Sequence, residues 1–254
     1  MKKEFIYLFL ITAAEGITAL LKSDWGLFCH GLLLFTLLGH AAFSYPTDKN
    51  SSHLLTSLAL VPLIRILTLY APLYLFHFVQ WFFLLSIPLF FASAILIFSQ
   101  HLNEKDVGLV LKLRQIPSQL AISFTGVPFG VVEYLILEPG PLLEELSFRS
   151  LFAPVVIFMV CTGFIEELLF RGIIQHNATK YFSPARHTGI LFTTTLFAVM
   201  HIGNLSPLDV VFVFLIGCFY AYIKEFTGSI IGVSISHGMT NVVLFLLMPL
   251  LWRV

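Results

Sequence analysis

Nine long apolar runs divide the chain, and each has a length that can cross the hydrocarbon core of a bilayer. A membrane-spanning helix needs about 20 apolar residues. The runs lie at residues 5–21, 25–43, 54–70, 73–98, 119–137, 151–176, 185–201, 208–223 and 229–251. Only two residues separate the third run from the fourth, so eight helices with one re-entrant piece is the alternative. The sequence predicts an all-α fold, a polytopic membrane helix bundle of about eight or nine transmembrane helices.

The composition leaves little room for a soluble domain. Charged residues make up only 11% of the chain, whereas a soluble domain is about one quarter charged. The formal net charge is +0, which offers nothing for nucleic acid. We therefore expect the lipid bilayer as the surroundings of the chain and no nucleic acid as a partner.

The distribution of lysine and arginine predicts the orientation of the helices, because cytoplasmic segments carry an excess of these residues. With the N-terminus inside, nine Lys and Arg residues fall in inner segments and three in outer segments. Arg65 and Arg171 lie within apolar runs and are left out of this comparison. We expect a multi-pass protein of the cell membrane with a cytoplasmic N-terminus.

Residues 101–118 mix charged and apolar side chains between the fourth and fifth runs. This mixture predicts an amphipathic helix that lies on the inner membrane surface. It divides the chain into N-terminal transmembrane helices of unknown role (residues 1–100), an interfacial linker (101–118) and a region that carries the unusual polar residues (119–254).

The sixth run contains two adjacent carboxylates and an arginine, Glu166, Glu167 and Arg171. Burying a carboxylate in hydrocarbon is costly unless it is paired or faces a polar cavity. Arg171 lies four residues after Glu167, so helical geometry places these two side chains together. Ionisable groups inside a membrane usually mark a functional site, and a buried ion pair that fixes helix packing is the alternative.

Two later runs carry polar residues at the four-residue spacing that shares one face of a helix. The seventh run ends with Phe197 and His201, and the ninth contains His237 and Asn241. Each alone fits a residue that packs or forms hydrogen bonds between membrane helices. Together with the glutamate pair they indicate one pocket in the middle of the membrane.

Other charged residues serve as a comparison. Glu144, Glu145 and Arg149 follow a Pro-Gly-Pro turn and repeat the spacing of the glutamate pair and its arginine. We interpret them as a solvent-exposed copy of this spacing that has no catalytic role. Three further residues lie inside apolar runs. Glu15 and Arg65 are interpreted as packing partners or as side chains that reach the interface, and Glu133 as a neighbour of the pocket.

The polar set suits the addition of water to a carbonyl group. Glu166 would act as general base toward water, and His201 would share that water or protonate the leaving amine. His237 and Asn241 would donate N–H groups to the developing oxyanion. The supporting residues are Glu167 and Arg171, which would orient Glu166, and Phe197 beside His201.

A zinc ion is the alternative to a metal-free site, with Glu166, His201 and His237 as its ligands. The sequence His-Glu-x-x-His is absent from the chain. We expect no cofactor, because Asn241 beside His237 fits an oxyanion site better than a zinc site.

The order and spacing of these residues resemble the motif set of the CAAX protease and bacteriocin-processing family of intramembrane endopeptidases. The matching motifs are Glu166-Glu167-x-x-x-Arg171, Phe197-x-x-x-His201 and His237-x-x-x-Asn241, within about residues 119–245. The resemblance implies a peptidase of the glutamate type, formerly classed as a metalloprotease. It also implies Glu166 and His201 as water activators and His237 and Asn241 as the oxyanion site.

The predicted activity is the hydrolysis of peptide bonds in membrane-associated peptides or proteins. Eukaryotic relatives cleave prenylated CAAX proteins, but a compact chain of this kind looks prokaryotic, so the identity of the substrate does not carry over. A non-catalytic immunity or scaffold protein of the same fold is one competing class. A transporter with a proton relay is another, and it would show an inverted repeat, which the sequence lacks.

Overall fold

Nine long helices make up most of the described part of the chain, which in this computed structural model comprises residues 3–21, 23–71 and 77–252. In chain order they are α1 (Glu4–Leu20), α2 (Ser23–Ser44), α3 (Lys49–Tyr70), α4 (Phe78–Ser99), α5 (Leu113–Leu137), α6 (Phe148–Tyr181), α7 (Arg186–Val199), α8 (Pro207–Thr227) and α9 (Ile231–Leu251). No β-strand occurs within these ranges. The predicted all-α membrane helix bundle is confirmed.

Each helix overlaps one of the nine predicted runs, and within the described ranges seven helices are long and apolar enough to cross a membrane. The predicted start of the fourth run, residues 73–76, lies outside the described residues. Helix α7 has only 14 residues, so at 1.5 Å per residue it rises about 21 Å, less than a hydrocarbon core of about 30 Å. It ends before it has crossed such a core, and His201 follows its C-cap residue Met200.

Helix α6 carries the glutamate pair between two stretches of wider, π-helical turns. These stretches are Phe158–Phe164 and Leu168–Ile174, and they flank the three α-helical residues Ile165–Glu167. A π-turn accommodates an extra residue in a helix and is often found at functional sites. The wider turns set the direction in which the two carboxylates leave α6.

Helix α9 packs against both α5 and α6, and glycines allow the backbones to approach closely. A Cβ at Gly163 of α6 would overlap the backbone of Gly238, and one at Gly126 of α5 would overlap the carbonyl oxygen of Ser236. Small residues permit such contacts between membrane helices. The close approach brings His237 of α9 next to the glutamate pair of α6.

The amphipathic helix predicted over residues 101–118 is wrong for residues 101–112, which form a loop. The side-chain oxygen of Asn103 accepts a hydrogen bond from the backbone N–H of Lys105 over 2.9 Å, and Gly108 has a left-handed φ of 76°. Side chain to backbone hydrogen bonds of this kind compete with helix formation. The predicted division of the chain into three parts remains a prediction.

Candidate active site

A cavity of about 520 Å³ lies between the helices, and all four residues predicted to be reactive line it. Glu166 enters from α6, His201 from the turn after α7, and His237 and Asn241 from α9. Side chains that are separate in sequence are therefore brought to one space. Their chemical roles remain predictions.

Glu167 is fully buried and is held by two partners. Nη1 of Arg171 donates to its Oε1 over 2.9 Å, as the four-residue spacing predicts, and Nδ1 of His237 lies 2.9 Å from the same oxygen. Because a carboxylate only accepts hydrogen bonds, this nitrogen of His237 carries the proton. The Arg171 guanidinium also covers the ring of Phe197, 4.2 Å from its centre. Glu167 thus fixes the orientation of His237.

Glu166 has a different environment, since 30% of its side chain is exposed. Its Oε2 lies 3.8 Å from Nε2 of His237, which is too long for a direct hydrogen bond. No described residue donates a hydrogen bond to its carboxylate. Of the two adjacent acids, Glu166 is the one that remains open to water in the cavity.

His201 is held in place by a residue of the last turn of α7, the helix that precedes it. Its Nδ1 lies 3.2 Å from the carbonyl oxygen of Phe197, to which it donates. The ring centres of these two residues are 5.1 Å apart. With Nδ1 occupied, the neutral imidazole keeps the lone pair of Nε2 for a partner in the cavity.

The amide of Asn241 is oriented by a residue that the sequence analysis missed. Nδ2 of Asn241 donates to Oγ1 of Thr162 over 2.8 Å, and Thr162 in turn donates to the carbonyl of Phe158. Thr162 lies on the first π-helical stretch of α6. A threonine within an apolar run is too common in membrane helices to be recognised from sequence alone.

A smaller cavity of about 40 Å³ is lined by three of the same residues, His201, His237 and Asn241, and by Glu133. This volume is large enough for a water molecule, which needs polar partners to be held. Glu133 also lines the larger cavity, in agreement with its predicted place beside the site.

The N-terminal helices, whose role the sequence left open, form one wall of the larger cavity. Arg65 of α3 lines it together with Trp81 and Phe82 of α4. Nη2 of Arg65 also pairs with Oε2 of Glu15 over 2.6 Å, which agrees with the first of the two interpretations given for these residues. The position of Arg65 at the cavity depends on tertiary packing, which no local spacing reveals.

The second copy of the glutamate and arginine spacing lies on the surface. Glu144, Glu145 and Arg149 are exposed, and the two acids lie in the loop between α5 and α6. None of the three is among the described residues that line the cavity. The membrane context, rather than the spacing, distinguishes the two copies.

No group of three or more His, Cys, Asp and Glu side chains in the described ranges is arranged to hold a metal ion. In the set named for zinc, Nδ1 of His237 is already occupied by Glu167, which leaves Nε2 toward Glu166. The zinc alternative remains a prediction that an experiment must decide.

The fold and the site define a polytopic membrane protein with a polar cavity between its helices. Residues 148–243 match the family model described as Type II CAAX prenyl endopeptidase Rce1-like, so this part of the chain is similar to that family. The match contains every residue of the three motifs, from Glu166 to Asn241, and confirms the resemblance stated from the sequence. The family indicates a membrane peptidase. No curated protein and no solved structure matches the chain.

Proposed function

We propose that the protein is an intramembrane endopeptidase in which Glu166 and His201 activate a water molecule against a peptide bond. The observation that carries this proposal is the shared cavity, in which Glu166 is partly exposed while its neighbour Glu167 is buried and paired with Arg171. A carboxylate that water can reach and that lies beside imidazoles is suited to proton transfer.

The first step is the attack of water on the carbonyl carbon of the substrate. Glu166 accepts a proton from the water as the new C–O bond forms, and the carbonyl π electrons move to the oxygen. The free Nε2 of His201 accepts the second hydrogen bond of the same water and so orients it. Holding water near its target in this way contributes to the rate by positioning as well as by proton transfer.

The negative oxygen formed in this step requires hydrogen-bond donors. Asn241 has two N–H groups on Nδ2, of which one is directed to Thr162 and the other remains for the substrate. His237 supplies an N–H from Nε2 when its ring is doubly protonated, with Nδ1 held by Glu167. Donors that are fixed before the reaction stabilise the developing charge without reorganisation.

Collapse of the tetrahedral intermediate breaks the C–N bond. Glu166 passes the proton that it took from water to Nε2 of His201, and His201 delivers it to the amine nitrogen as the C–N bond breaks. The products are a new carboxyl end and a new amino end, so one water is consumed per bond cleaved. No covalent intermediate with the protein is required.

The walls of the cavity favour an apolar substrate segment. The apolar residues that line it include Phe78, Trp81 and Phe82 of α4 and Leu244 and Phe245 of α9. Burial of apolar side chains against such a surface stabilises binding. We therefore assign the substrate to the class of membrane-associated peptides and proteins with an apolar segment at the cleaved bond.

The test uses the purified full-length protein in proteoliposomes with a library of internally quenched apolar peptides. Glu166→Gln should reduce cleavage at least 100-fold, because the amide cannot accept the proton, and should keep the wild-type unfolding temperature. Glu144→Gln is the matched control, since it makes the same change in the exposed copy of the spacing.

Retained cleavage by Glu166→Gln would exclude the role given to this carboxylate. Loss of cleavage in Glu144→Gln would mean that the wrong acid pair was chosen. Two negative results together would refute the peptidase: the wild-type protein cleaves no peptide in the library, and cells with wild type and with Glu166→Gln contain the same small membrane-proximal peptides. The protein would then be interpreted as a non-catalytic immunity or scaffold protein of the same fold.

A further inference from the structure

Two buried side chains, Glu15 and His30, and the half-buried Arg65 form a cluster in the N-terminal helices that reaches the reactive cavity. Arg65 of α3 makes two contacts with Glu15 of α1, from Nε over 3.0 Å and from Nη2 over 2.6 Å. His30 of α2 lies 3.5 Å from the same carboxylate. Glu15 is 1% exposed, so the Arg65 guanidinium is the charged group that compensates its burial.

Arg65 has a third contact, and it belongs to the C-terminal half of the chain. Its Nη2 donates over 2.7 Å to the carbonyl oxygen of Met200, the C-cap residue of α7. The last carbonyl groups of a helix have no partner within the helix and carry partial negative charge. Arg65 therefore acts as a cap for α7.

The capped residue is directly followed by His201, whose ring lines the same cavity as Arg65 and Met200. The chain leaves the helix at this point, since α7 ends at Val199 and a short turn begins at Ile202. Among the described hydrogen bonds, Arg65 is the only partner of the Met200 carbonyl, so loss of Arg65 leaves this carbonyl at the end of α7 without a partner.

On the basis of the proposed function, we infer that Arg65 is a positioning residue for the reaction. Held by Glu15, it fixes the end of α7 and so places the imidazole of His201 against the water that Glu166 activates. This inference gives the N-terminal helices a role in the site. Arg65 acts through His201 and takes no part in bond making.

The experiment compares Arg65→Met, Arg65→Lys and Glu15→Gln in the full-length protein. Arg65→Met should lower kcat about 10- to 100-fold, because a misplacement of about 1 Å at a reactive group costs up to 10²-fold in rate. KM should change less than threefold, since the apolar wall is intact. Arg65→Lys should recover part of kcat, because the ammonium still reaches one of the two acceptors, and Glu15→Gln should give an intermediate loss.

Glu4→Gln is the matched control for the disturbance of a buried acid. Glu4 lies on α1, is buried like Glu15, and accepts a hydrogen bond from Ser51 instead of an arginine. This variant should retain kcat within twofold. If Arg65→Met does not fold, Arg65→Lys and Glu15→Gln carry the comparison, because both keep a polar group at the cluster.

A second readout is independent of activity. The imidazole signal of His201, assigned with His201→Gln in histidine-labelled protein, should shift in Arg65→Met and stay in place in Glu4→Gln. If the wild-type protein cleaves no peptide, the proposed peptidase is refuted. A shift of the His201 signal in Arg65→Met would then still support the role of Arg65 in positioning His201. An unchanged signal, wild-type kcat in Arg65→Met, or an equal loss in Glu4→Gln would each overturn the inference.

Discussion

The close contact between α6 and α9 predicts how much stability and activity the variant Gly163→Ala should lose. A Cβ at this position would lie 2.6 Å from the Cα of Gly238 and 2.7 Å from the carbonyl oxygen of Ser234. Carbon atoms pack at about 3.5–4.0 Å, so the two helices must separate by on the order of 1 Å. Overpacking of this kind destabilises a protein by about 1–3 kcal/mol.

The same separation affects the site, because Gly163 precedes Glu166 by less than one turn and Gly238 follows His237. Glu166 and His237 are now 3.8 Å apart, and a displacement of about 1 Å at this distance costs up to 10²-fold in rate. We expect kcat to fall about 10- to 100-fold in Gly163→Ala. The assay is run at a temperature where the variant is folded, so a fall in kcat there reflects a change at the site and not a smaller folded fraction.

The assays are thermal unfolding in detergent and peptide cleavage in proteoliposomes. For a chain of this size 1 kcal/mol corresponds to about 2–4 °C, so Tm should fall by about 2–12 °C. Gly39→Ala in α2 is the control, since no atom lies within 4 Å of its added Cβ, and alanine is the better helix former. Wild-type Tm and kcat in Gly163→Ala would refute the close contact, and an equal loss in Gly39→Ala would show that replacing any helix glycine has this effect.

Two further predictions concern the donors and the metal. Thr162→Val should lower kcat/KM about tenfold, because one neutral hydrogen bond that orients Asn241 is lost at about 0.5–1.5 kcal/mol. Tm should fall by at most about 6 °C. The control is Thr195→Val, since the Thr195 hydroxyl donates to the carbonyl of Leu191 in its own helix, and an equal loss there would contradict the reasoning. Exhaustive chelation should leave the cleavage rate within twofold of the untreated protein, and elemental analysis should find no bound zinc. If chelation abolishes cleavage and added zinc restores it, the zinc alternative with Glu166, His201 and His237 replaces the metal-free mechanism.

The helices could be predicted closely because a bilayer leaves a long apolar run almost no other conformation. The spacing of Arg171 after Glu167 likewise predicted an ion pair that the structure contains. The loop at residues 101–112 could not be predicted in the same way. Its alternation of charged and apolar residues fits an amphipathic helix, and the side-chain hydrogen bonds of Asn103 decide against it.

The sequence predicted only those cavity residues that lie on α6 and α9 and at the end of α7. The residues of α6, α7 and α9 are recognisable because charged and amide groups are rare in apolar runs. The contributions of Arg65 and Trp81 come from how α3 and α4 pack against the C-terminal helices, which depends on contacts between distant segments. The contact of His237 with Glu167 is of the same kind, since 70 positions separate the two residues.

The π-helical stretches on either side of the glutamate pair make the number of residues in α6 a determinant of the site. Each residue of a helix turns the chain by about 100°. Deleting one residue before Ile165 would relax a wide turn into a normal one and rotate the carboxylates relative to the preceding helix, whereas many substitutions there would leave their direction unchanged. Variation along this part of the chain is therefore constrained more strongly in length than in the choice of side chains.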